Sequence, residues 1–233
     1  MIKRFNITKL LLIVFIAQLL SCSAVYRLEK QDLEKYNSRM IVESSDRPDG
    51  QALKFSDTDK YSFIILPQNS NLDFGKNDFS ISLWINSISE NTQMVIQKGG
   101  LRGALDPQYW LRLNDKLGNI VFLLGNGDRN NPYIEYNEKN VCDGLWHHIV
   151  VVRQNIKLKM YLDGEQVGEQ RQYSDREPSK LILENTSNNQ SVKIGIQIYD
   201  KYVNKFEGLM DDIYFYKKAL TEKEIKKIYE NQK

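Results

Sequence analysis

Asp211 is the residue whose position in this 233-residue sequence most clearly suggests chemistry. It lies in an apolar and aromatic run from Leu209 to Tyr216, which is typical of a strand buried on both faces. Side-chain alternation predicts that Asp211 shares a face with Ile213, and Asp212 with Tyr214. A carboxylate on an apolar face is costly unless a cation, a metal or several donors meet it. Asp211 is therefore expected either to accept from backbone N–H groups of a neighbouring loop, or to bind Ca²⁺, which prefers oxygen ligands.

Other pairs of titratable residues have the wrong spacing for catalysis. A retaining glycosidase needs two carboxyl groups about 5 Å apart that face the same sugar. Residues at odd separations along a strand point to opposite faces and do not meet. The pairs separated in this way are Asp211 and Asp212, Glu135 and Glu138, and His147 and His148. We therefore expect no catalytic site, and we expect each histidine to be hydrogen-bonded locally.

Aromatic and amide side chains in several segments suggest a binding surface instead. Exposed aromatic rings can stack on sugars, and neighbouring amides can hydrogen-bond the sugar hydroxyls. The candidate ligand-binding residues are Trp110, Asn126, Tyr133, Tyr136, Tyr199 and Tyr202. For each aromatic residue the alternative is packing within the fold, which is also the role expected of Trp84.

The N-terminal residues have the pattern of a signal peptide. Met1–Lys9 is basic, and the apolar run Leu10–Leu20 is too short to cross a bilayer, which takes about 20 helical residues. The run ends in Leu19-Leu20-Ser21-Cys22, which resembles the bacterial lipoprotein box. The resemblance implies a lipoprotein signal peptide over residues 1–21, a lipid-bearing Cys22 and attachment to a membrane. The alternative is an ordinary signal peptide; in either case Cys142 is expected to be a buried structural thiol.

Net charge argues against nucleic acid as a partner. The formal charge is +2 at pH 7. The predicted signal peptide holds three basic residues and no acid, so the remaining chain has 29 basic and 30 acidic side chains. This balance lacks the excess of basic residues that nucleic-acid binding requires.

The elements that would position the candidate residues are short strands separated by turns. About a dozen segments read as strands, and all five prolines fall at strand edges or in loops. The pattern predicts an all-β sandwich of two antiparallel sheets. Thr221 and Glu224 form a capping box, which predicts a short C-terminal helix. A turn cluster at residues 46–50 marks the start of the domain, assigned to 49–233, and residues 22–48 are expected to form a tether.

Three segments resemble the laminin-G-like jelly rolls of the concanavalin-A-like lectin/glucanase superfamily, over roughly residues 50–229. They are Gly208-Leu-Met-Asp-Asp-Ile-Tyr-Phe-Tyr216 followed by Ala219–Ile225, Asp143-Gly-Leu-Trp-His-His148, and Phe79-Ser-Ile-Ser-Leu-Trp84. The resemblance implies a jelly-roll sandwich with calcium bound by Asp211, and Asp59 and Asp57 are the other candidate ligands. In the loop 56–60, Asp59 matches the family pattern, whereas Ser56 and Lys60 stand where the family has carboxylates. The alternative for this loop is a solvated turn.

These expectations combine into one functional hypothesis. The chain is a lipid-anchored, non-catalytic binding module of the bacterial outer membrane or cell surface, which binds a glycan or an extracellular protein, with Ca²⁺ as its candidate cofactor. Two alternatives stay open: a polysaccharide-degrading enzyme of the same superfamily, and a structural or adhesion protein of the envelope without a small ligand.

Overall fold

The computed structural model of the chain describes residues 25–37, 40–48, 50–100, 106–114, 118–127, 131–172, 185–199 and 202–233. Within these ranges the chain forms seventeen strands and two helices. The strands are β1 (Val25–Arg27), β2 (Ile41–Ser44), β3 (Gln51–Phe55), β4 (Ile64–Leu66), β5 (Phe79–Asn86), β6 (Gln93–Gly99), β7 (Pro107–Asn114), β8 (Asn119–Asn126), β9 (Pro132–Tyr136), β10 (His147–Gln154), β11 (Lys157–Leu162), β12 (Glu165–Val167), β13 (Glu169–Gln172), β14 (Val192–Ile194), β15 (Ile196–Tyr199), β16 (Tyr202–Lys205) and β17 (Gly208–Tyr216). The helices are α1 (Lys30–Tyr36) and α2 (Glu222–Gln232).

Two antiparallel sheets enclose the hydrophobic core. The eight-stranded sheet has the order β12-β11-β10-β5-β17-β3-β2, with β1 also paired to β17. The seven-stranded sheet has the order β13-β9-β8-β7-β6-β14-β4, and β15 and β16 form a separate hairpin. The predicted all-β, two-sheet antiparallel jelly-roll sandwich with a short C-terminal helix is confirmed.

Side-chain alternation decides which residues fill the space between the sheets. Phe79, Ile81 and Leu83 of β5 point inward and are fully buried, as are Tyr109 and Leu111 of β7. Burying a large apolar side chain contributes about 1.5–3 kcal/mol, so these alternating rows supply most of the driving force for folding.

Helix α2 begins as the sequence predicts. The Thr221 hydroxyl accepts from the Glu224 backbone N–H at 3.3 Å, and the Glu224 carboxylate accepts from the Thr221 backbone N–H at 2.8 Å. Ile225 and Ile228 are buried with tyrosines of β17 in a second cluster, on the outer face of the eight-stranded sheet. Among the described residues, no helix is long and apolar enough to span a membrane.

A β-bulge in β17 changes which side chains share a face. Asp211 pairs with Trp84 of β5 and Tyr214 pairs with Ser82, so two residues of β17 lie opposite one of β5. Asp212, one of those two, adopts a φ of 49°, in the left-handed region that Asp tolerates better than most residues. Alternation therefore shifts by one position, and Ile213 faces the core while Asp211 lies on the outer face with Trp84. The predicted common face of Asp211 and Ile213 is wrong for this reason.

The segment predicted as a tether over residues 22–48 is packed on the sandwich where it is described. β1 pairs with the end of β17, β2 pairs with β3, and Leu33 of α1 is buried in the core. The boundary predicted at residue 49 thus falls between two paired strands. The predicted signal peptide, residues 1–21, and Cys22 lie outside the described residues.

Tyr199 and Tyr202, two of the candidate ligand-binding residues, lie in the hairpin formed by β15 and β16. Ile198 pairs with Val203, and Tyr199 with Tyr202. The physical reason is composition: the two arms are rich in β-branched and aromatic residues, which favour extended backbone.

Candidate functional site

The cation that meets Asp211 is Arg47. The Arg47 Nε atom lies 3.1 Å from Asp211 Oδ2, and its Nη2 atom lies 3.1 Å from Asp212 Oδ2. The Arg47 side chain is 2% exposed, and its guanidinium carbon is 3.8 Å from the centre of the Trp84 ring. The expectation that Asp211 and Asp212 point apart is wrong, because the bulge turns both carboxylates toward one guanidinium.

The carboxylates proposed for calcium do not fit that ion well. Asp211 Oδ2 is engaged by Arg47, and Asp211 Oδ1 accepts from the Asp212 backbone N–H at 2.7 Å. In the loop before β4, Asp59 Oδ1 accepts from the Tyr61 backbone N–H at 2.9 Å. The ammonium of Lys205 lies in the same loop and donates to the carbonyl oxygens of Asp57 and Asp59 at 2.9 Å, so a cation is already present there. The described ranges contain no group of three or more His, Cys, Asp or Glu positioned to hold a metal. Calcium binding therefore stays a prediction.

The two histidines have separate local partners, as predicted. His148 Nε2 is 2.8 Å from Ser82 Oγ, and its ring stacks 5.0 Å from that of Trp84. Burial, reinforced by the Arg47 charge, lowers the pKa of His148 to about 3. His147 lies between two carboxylates, with Nδ1 2.9 Å from Asp163 Oδ2 and Nε2 3.1 Å from Asp143 Oδ1. These contacts tie strands and turns together and leave neither imidazole facing an open site.

Trp84 and Cys142 are structural as well. Trp84 is buried, donates from Nε1 to Gln232 Oε1 at 3.0 Å, and stacks on Tyr229 with ring centres 5.6 Å apart. Cys142 is buried and free, and accepts from Gln93 Nε2 at 3.4 Å. Burial raises the pKa of the Cys142 thiol, so it is kept protonated and unreactive.

Two of the predicted ligand-binding residues lie in one row on the outer face of the seven-stranded sheet. Trp110 of β7 is the register partner of Leu123 of β8, and Leu123 is the register partner of Tyr133 of β9. Directly opposed residues in a sheet share a face, and two strand spacings separate Trp110 from Tyr133 by about 10 Å. Both aromatic residues are half-buried, so each keeps surface for a ligand.

The same row continues past Trp110 with polar side chains. Gln97 of β6 is the register partner of Trp110, and Lys193 of β14 is the register partner of Gln97. Gln97 is 1% exposed and Lys193 is 8% exposed, although both lie on an outer face. Gln97, Trp110, Leu123, Tyr133 and Lys193 will be called the recognition row.

A second amide lies beside the recognition row. Gln108 of β7 is buried and pairs with Gly125 of β8. Gly100 allows the two glutamines to approach each other: a Cβ at Gly100 would lie 2.4 Å from Gln108 Oε1 and 3.2 Å from Gln97 Nε2. With φ at 74°, Gly100 also has a conformation that L side chains rarely adopt. The two half-buried aromatic rings of the row thus lie over a layer of buried amides.

Four predicted ligand residues are not placed in this row. Tyr136 pairs with Ile120 and packs against the core, because it is an odd number of residues from Tyr133 along β9. Asn126 pairs with Pro107 at the end of β8. Tyr199 and Tyr202 are partners in the β15–β16 hairpin, and the side chains of Asn126 and of these two tyrosines lie outside the description.

Gln97 and Lys193 were not singled out from the sequence, although a signal for them exists. Each is a polar residue next to aliphatic residues that point into the core, as Val192 and Ile194 do on either side of Lys193. Alternation places such residues on the outer face, but their neighbours in the sheet depend on long-range pairing of β6, β7 and β14.

The fold and the row define a jelly-roll sandwich with a polar and aromatic surface on one sheet. A laminin-G-like family model, described as concanavalin A-like lectin/glucanases superfamily, matches residues 57–226. The chain belongs to this superfamily. No curated protein sequence matches the chain.

Solved structures with the same fold are binding domains of bacterial toxins. The binding domain of Paraclostridial Mosquitocidal Protein 1 superposes with a TM-score of 0.61 at 17% identity, covering 89% of this chain and 47% of that one. The binding domain of botulinum neurotoxin DC, solved in complex with rat synaptotagmin II, gives 0.58 at 15% identity, covering 89% and 46%. A structure of botulinum neurotoxin type C, whose cell entry depends on interaction with two ganglioside molecules, gives a TM-score of 0.56 at 15% identity, covering 89% of this chain and 46% of that one. The chain spans about half the length of these proteins, and the likeness concerns the fold.

Proposed function

We propose that the chain is a non-catalytic binding module that recognises a glycan through the recognition row. The observation that carries the proposal is the alignment of the half-buried Trp110 and Tyr133 in one transverse row. Half-buried rings about 10 Å apart can stack on two sugars of one chain. Neighbours of the same fold support a binding role, since the botulinum structures are titled for contacts with ganglioside and with a protein.

A glycan array and alanine variants test this function. The chain from residue 25 onward is applied to the array, and affinities for the best glycans are measured by calorimetry. Trp110→Ala and Tyr133→Ala are each expected to lower affinity about 10- to 100-fold, because aromatic anchors dominate such contacts. Tyr61→Ala is the matched control, since Tyr61 is an exposed aromatic residue outside the recognition row. An array without hits, with a protein captured instead, would replace the glycan by a protein partner.

Glycan hydrolysis is the second candidate function, and one pair of opposed residues in the seven-stranded sheet favours it. Glu135 of β9 is the register partner of Glu169 of β13, next to the Tyr133 end of the row. A carboxylic acid at Glu135 could protonate the leaving group of a glycosidic bond. Release of reducing ends from a bound polysaccharide, abolished by Glu135→Gln, would establish an enzyme. We expect no release.

We further propose that Cys22 carries a lipid that holds the module at a bacterial outer membrane or cell surface. The support is the basic start, short apolar run and Leu-Leu-Ser-Cys sequence at residues 19–22. Mass spectrometry of the N-terminal peptide should show a diacylglycerol on Cys22, and Cys22→Ala should move the protein from the membrane fraction to the aqueous one. Recovery of Cys22→Ala in the membrane fraction would contradict this anchor.

A further inference from the structure

The end of the sandwich where β5 stops carries the three most exposed large hydrophobic side chains among the described residues. Ile88 is 76% exposed, Leu145 63% and Val203 53%. Ile88 belongs to the loop between β5 and β6, Leu145 to the loop before β10, and Val203 to β16. Single exposed apolar side chains are common on proteins, but several on one surface mark a contact site. Ile88, Leu145 and Val203 will be called the apolar end patch.

The three side chains of the patch come from neighbouring segments. A Cβ at Gly144 would lie 3.1 Å from Ile88 Cγ2, so Ile88 packs beside the residue that precedes Leu145. Val203 and the end of the β5–β6 loop line one cleft of about 470 Å³. Its lining residues are Asp57, Asn91, Thr92, Val203, Asn204 and Lys205. The patch and the cleft therefore form one surface at this end of the sandwich.

Hydrogen bonds fix the loops of Ile88 and Leu145 to each other. The Gly144 backbone N–H donates to the Ser87 carbonyl oxygen at 3.0 Å, and the Gly144 carbonyl oxygen accepts from Asn86 Nδ2 at 2.8 Å. Both exposed side chains are therefore displayed on backbone that is already held in place. A surface of this kind loses less entropy when a partner binds than a mobile loop does.

The surface around the apolar end patch is acidic. Residues 56–61, 87–92, 143–146 and 203–207 form this surface and hold five acidic and two basic side chains. They are Asp57, Asp59, Glu90, Asp143 and Glu207, and Lys60 and Lys205. Lys205 is half-buried, and its ammonium donates to the carbonyl oxygens of Asp57 and Asp59 at 2.9 Å. An acidic surface attracts lysine and arginine side chains and disfavours anionic lipid headgroups.

The patch also lies far from the N-terminal strand. Val25 of β1 pairs with Tyr216 of β17, which pairs with Ser80 near the start of β5. Ile88 follows the end of β5, and the eight residues of that strand span about 26 Å. A lipid on Cys22, as proposed above, would hold the Val25 end at the membrane and leave the patch at the far end.

We propose that the apolar end patch docks a protein partner that presents large apolar side chains flanked by lysine or arginine. The exposed aliphatic side chains supply the contact area, and the acidic residues around them select a basic partner. The charge and the position of the patch both favour a protein over a membrane. The inference goes beyond the glycan function, because the patch shares no residue with the recognition row.

A random peptide library tests this surface. Phage-displayed dodecapeptides are selected on the purified protein, and the enriched peptides are synthesised and titrated by calorimetry. We expect them to combine large apolar residues with a net positive charge. Ile88→Ser and Leu145→Ser should each lower affinity for these peptides about 10-fold, and the double variant about 100-fold, because a few central side chains dominate such contacts.

Two further variants separate the apolar contribution from the charge contribution. Ile156→Ser should bind like the parent protein, because Ile156 is 40% exposed in the turn between β10 and β11, at the other end of the sandwich. Glu90→Gln should weaken binding about threefold and reduce its dependence on salt. All the substituted side chains are exposed, so melting temperatures should stay within about 2 °C of the parent value.

Several results would overturn the inference. Enriched peptides that are neutral or acidic would contradict the charge argument. A library without enriched sequences, peptides that bind the double variant as tightly as the parent, or a large drop in melting temperature would each contradict docking at the patch. Binding of a Cys22→Ala protein to phosphatidylglycerol vesicles, lost in the double variant, would assign the patch to a membrane. A dimer in sedimentation velocity that dissociates in the double variant would assign it to a second copy of the chain.

Discussion

At the scale of single residues, Arg47 has the largest expected effect on stability. It connects a segment before β3 to the bulge in β17, and its Nη1 atom donates to the Gln232 carbonyl oxygen at the end of α2. Arg47→Ala removes the guanidinium from two carboxylates that are only 12% and 14% exposed. We expect a loss of about 3–5 kcal/mol in the free energy of unfolding, the cost of breaking a buried ion pair. Denaturant unfolding at pH 7 measures it.

Arg27 provides the matched comparison for Arg47. Its Nη2 atom is 3.3 Å from Asp212 Oδ1, but the Arg27 side chain is 38% exposed. Solvent screens this pair, so Arg27→Ala is expected to cost about 1 kcal/mol or less. Equal losses for the two variants would mean that burial does not decide the strength of the Asp212 contacts.

The residues around Arg47 also show where sequence reasoning ends. The apolar run around Asp211 showed from the sequence alone that this carboxylate is unusual and needs a cation, a metal or several donors. Its partner could not be predicted, because Arg47 is 164 residues away and lies in a segment without strong periodicity. The bulge could not be predicted for a related reason. The sequence Leu-Met-Asp-Asp-Ile does not determine which residue is left unpaired, because pairing with β5 determines it.

At the scale of elements, a stack of rings fastens α2 to the eight-stranded sheet. His148 of β10, Trp84 of β5 and Tyr229 of α2 form a cluster of near-parallel rings. The ring centres are 5.0 Å apart for His148 and Trp84, 5.6 Å for Trp84 and Tyr229, and 6.2 Å for His148 and Tyr229. The positive charge of Arg47 opposes protonation of His148, whereas the negative charge of Asp163 favours protonation to a lesser degree. The stack is therefore built for a neutral imidazole, and acid should weaken the docking of α2.

The sign of the resulting pH dependence follows from the pKa of His148. Its folded pKa of about 3 lies below the unfolded value of about 6.5, so between these values the unfolded state binds more protons. Stability is fully present above pH 6.5 and falls on acidification, with a slope that approaches about 1.4 kcal/mol per pH unit. Asp143, Asp163 and Glu224 have lowered pKa values as well, but their contribution is lost only in more acidic solution. Denaturant unfolding at pH 5 and pH 7 should therefore show a clear loss.

His148→Asn separates this effect from general acid sensitivity. The variant should be less stable at pH 7, because the stacked ring is lost, yet nearly independent of pH between 5 and 7. The same slope in His148→Asn and the parent chain would assign the acid sensitivity to other groups.

Strands with strict alternation were predictable, whereas elements that rely on their partners were not. The sequence Phe79-Ser-Ile-Ser-Leu carries its own period, and the resulting β5 lies where the pattern predicts. β1 has three residues and no detectable period, so its existence depends on the free edge of β17. The recognition row is intermediate: the sequence indicated Trp110 and Tyr133, but only the order of the strands brings Gln97 and Lys193 beside them.

At the scale of the whole molecule, the N-terminal segment completes the sandwich. β1 pairs with residues 214–216 of β17, and β3 pairs with residues 208–210 of the same strand. β2 pairs with β3 on its other side and ends the sheet. Leu33 adds to the core, and Tyr26 packs on Phe215 with ring centres 6.1 Å apart. An anchor at Cys22 would therefore hold the sandwich close to the membrane, since only two residues lie between Cys22 and β1 and each extended residue spans at most about 3.6 Å.

Two truncations test whether this segment is part of the folding unit. A chain that begins at residue 25 should retain full stability, whereas a chain that begins at residue 49 loses β1, α1, β2 and Arg47. The loss of the Arg47 ion pairs alone is about 3–5 kcal/mol, a large part of the 5–15 kcal/mol typical of a domain. We expect the shorter chain to lack a cooperative melt by circular dichroism, and a synthetic peptide of residues 25–48 to restore part of it. Melting temperatures within a few degrees of each other would instead support a separable tether, and Arg47→Ala in the longer chain distinguishes the ion pairs from the strand contacts.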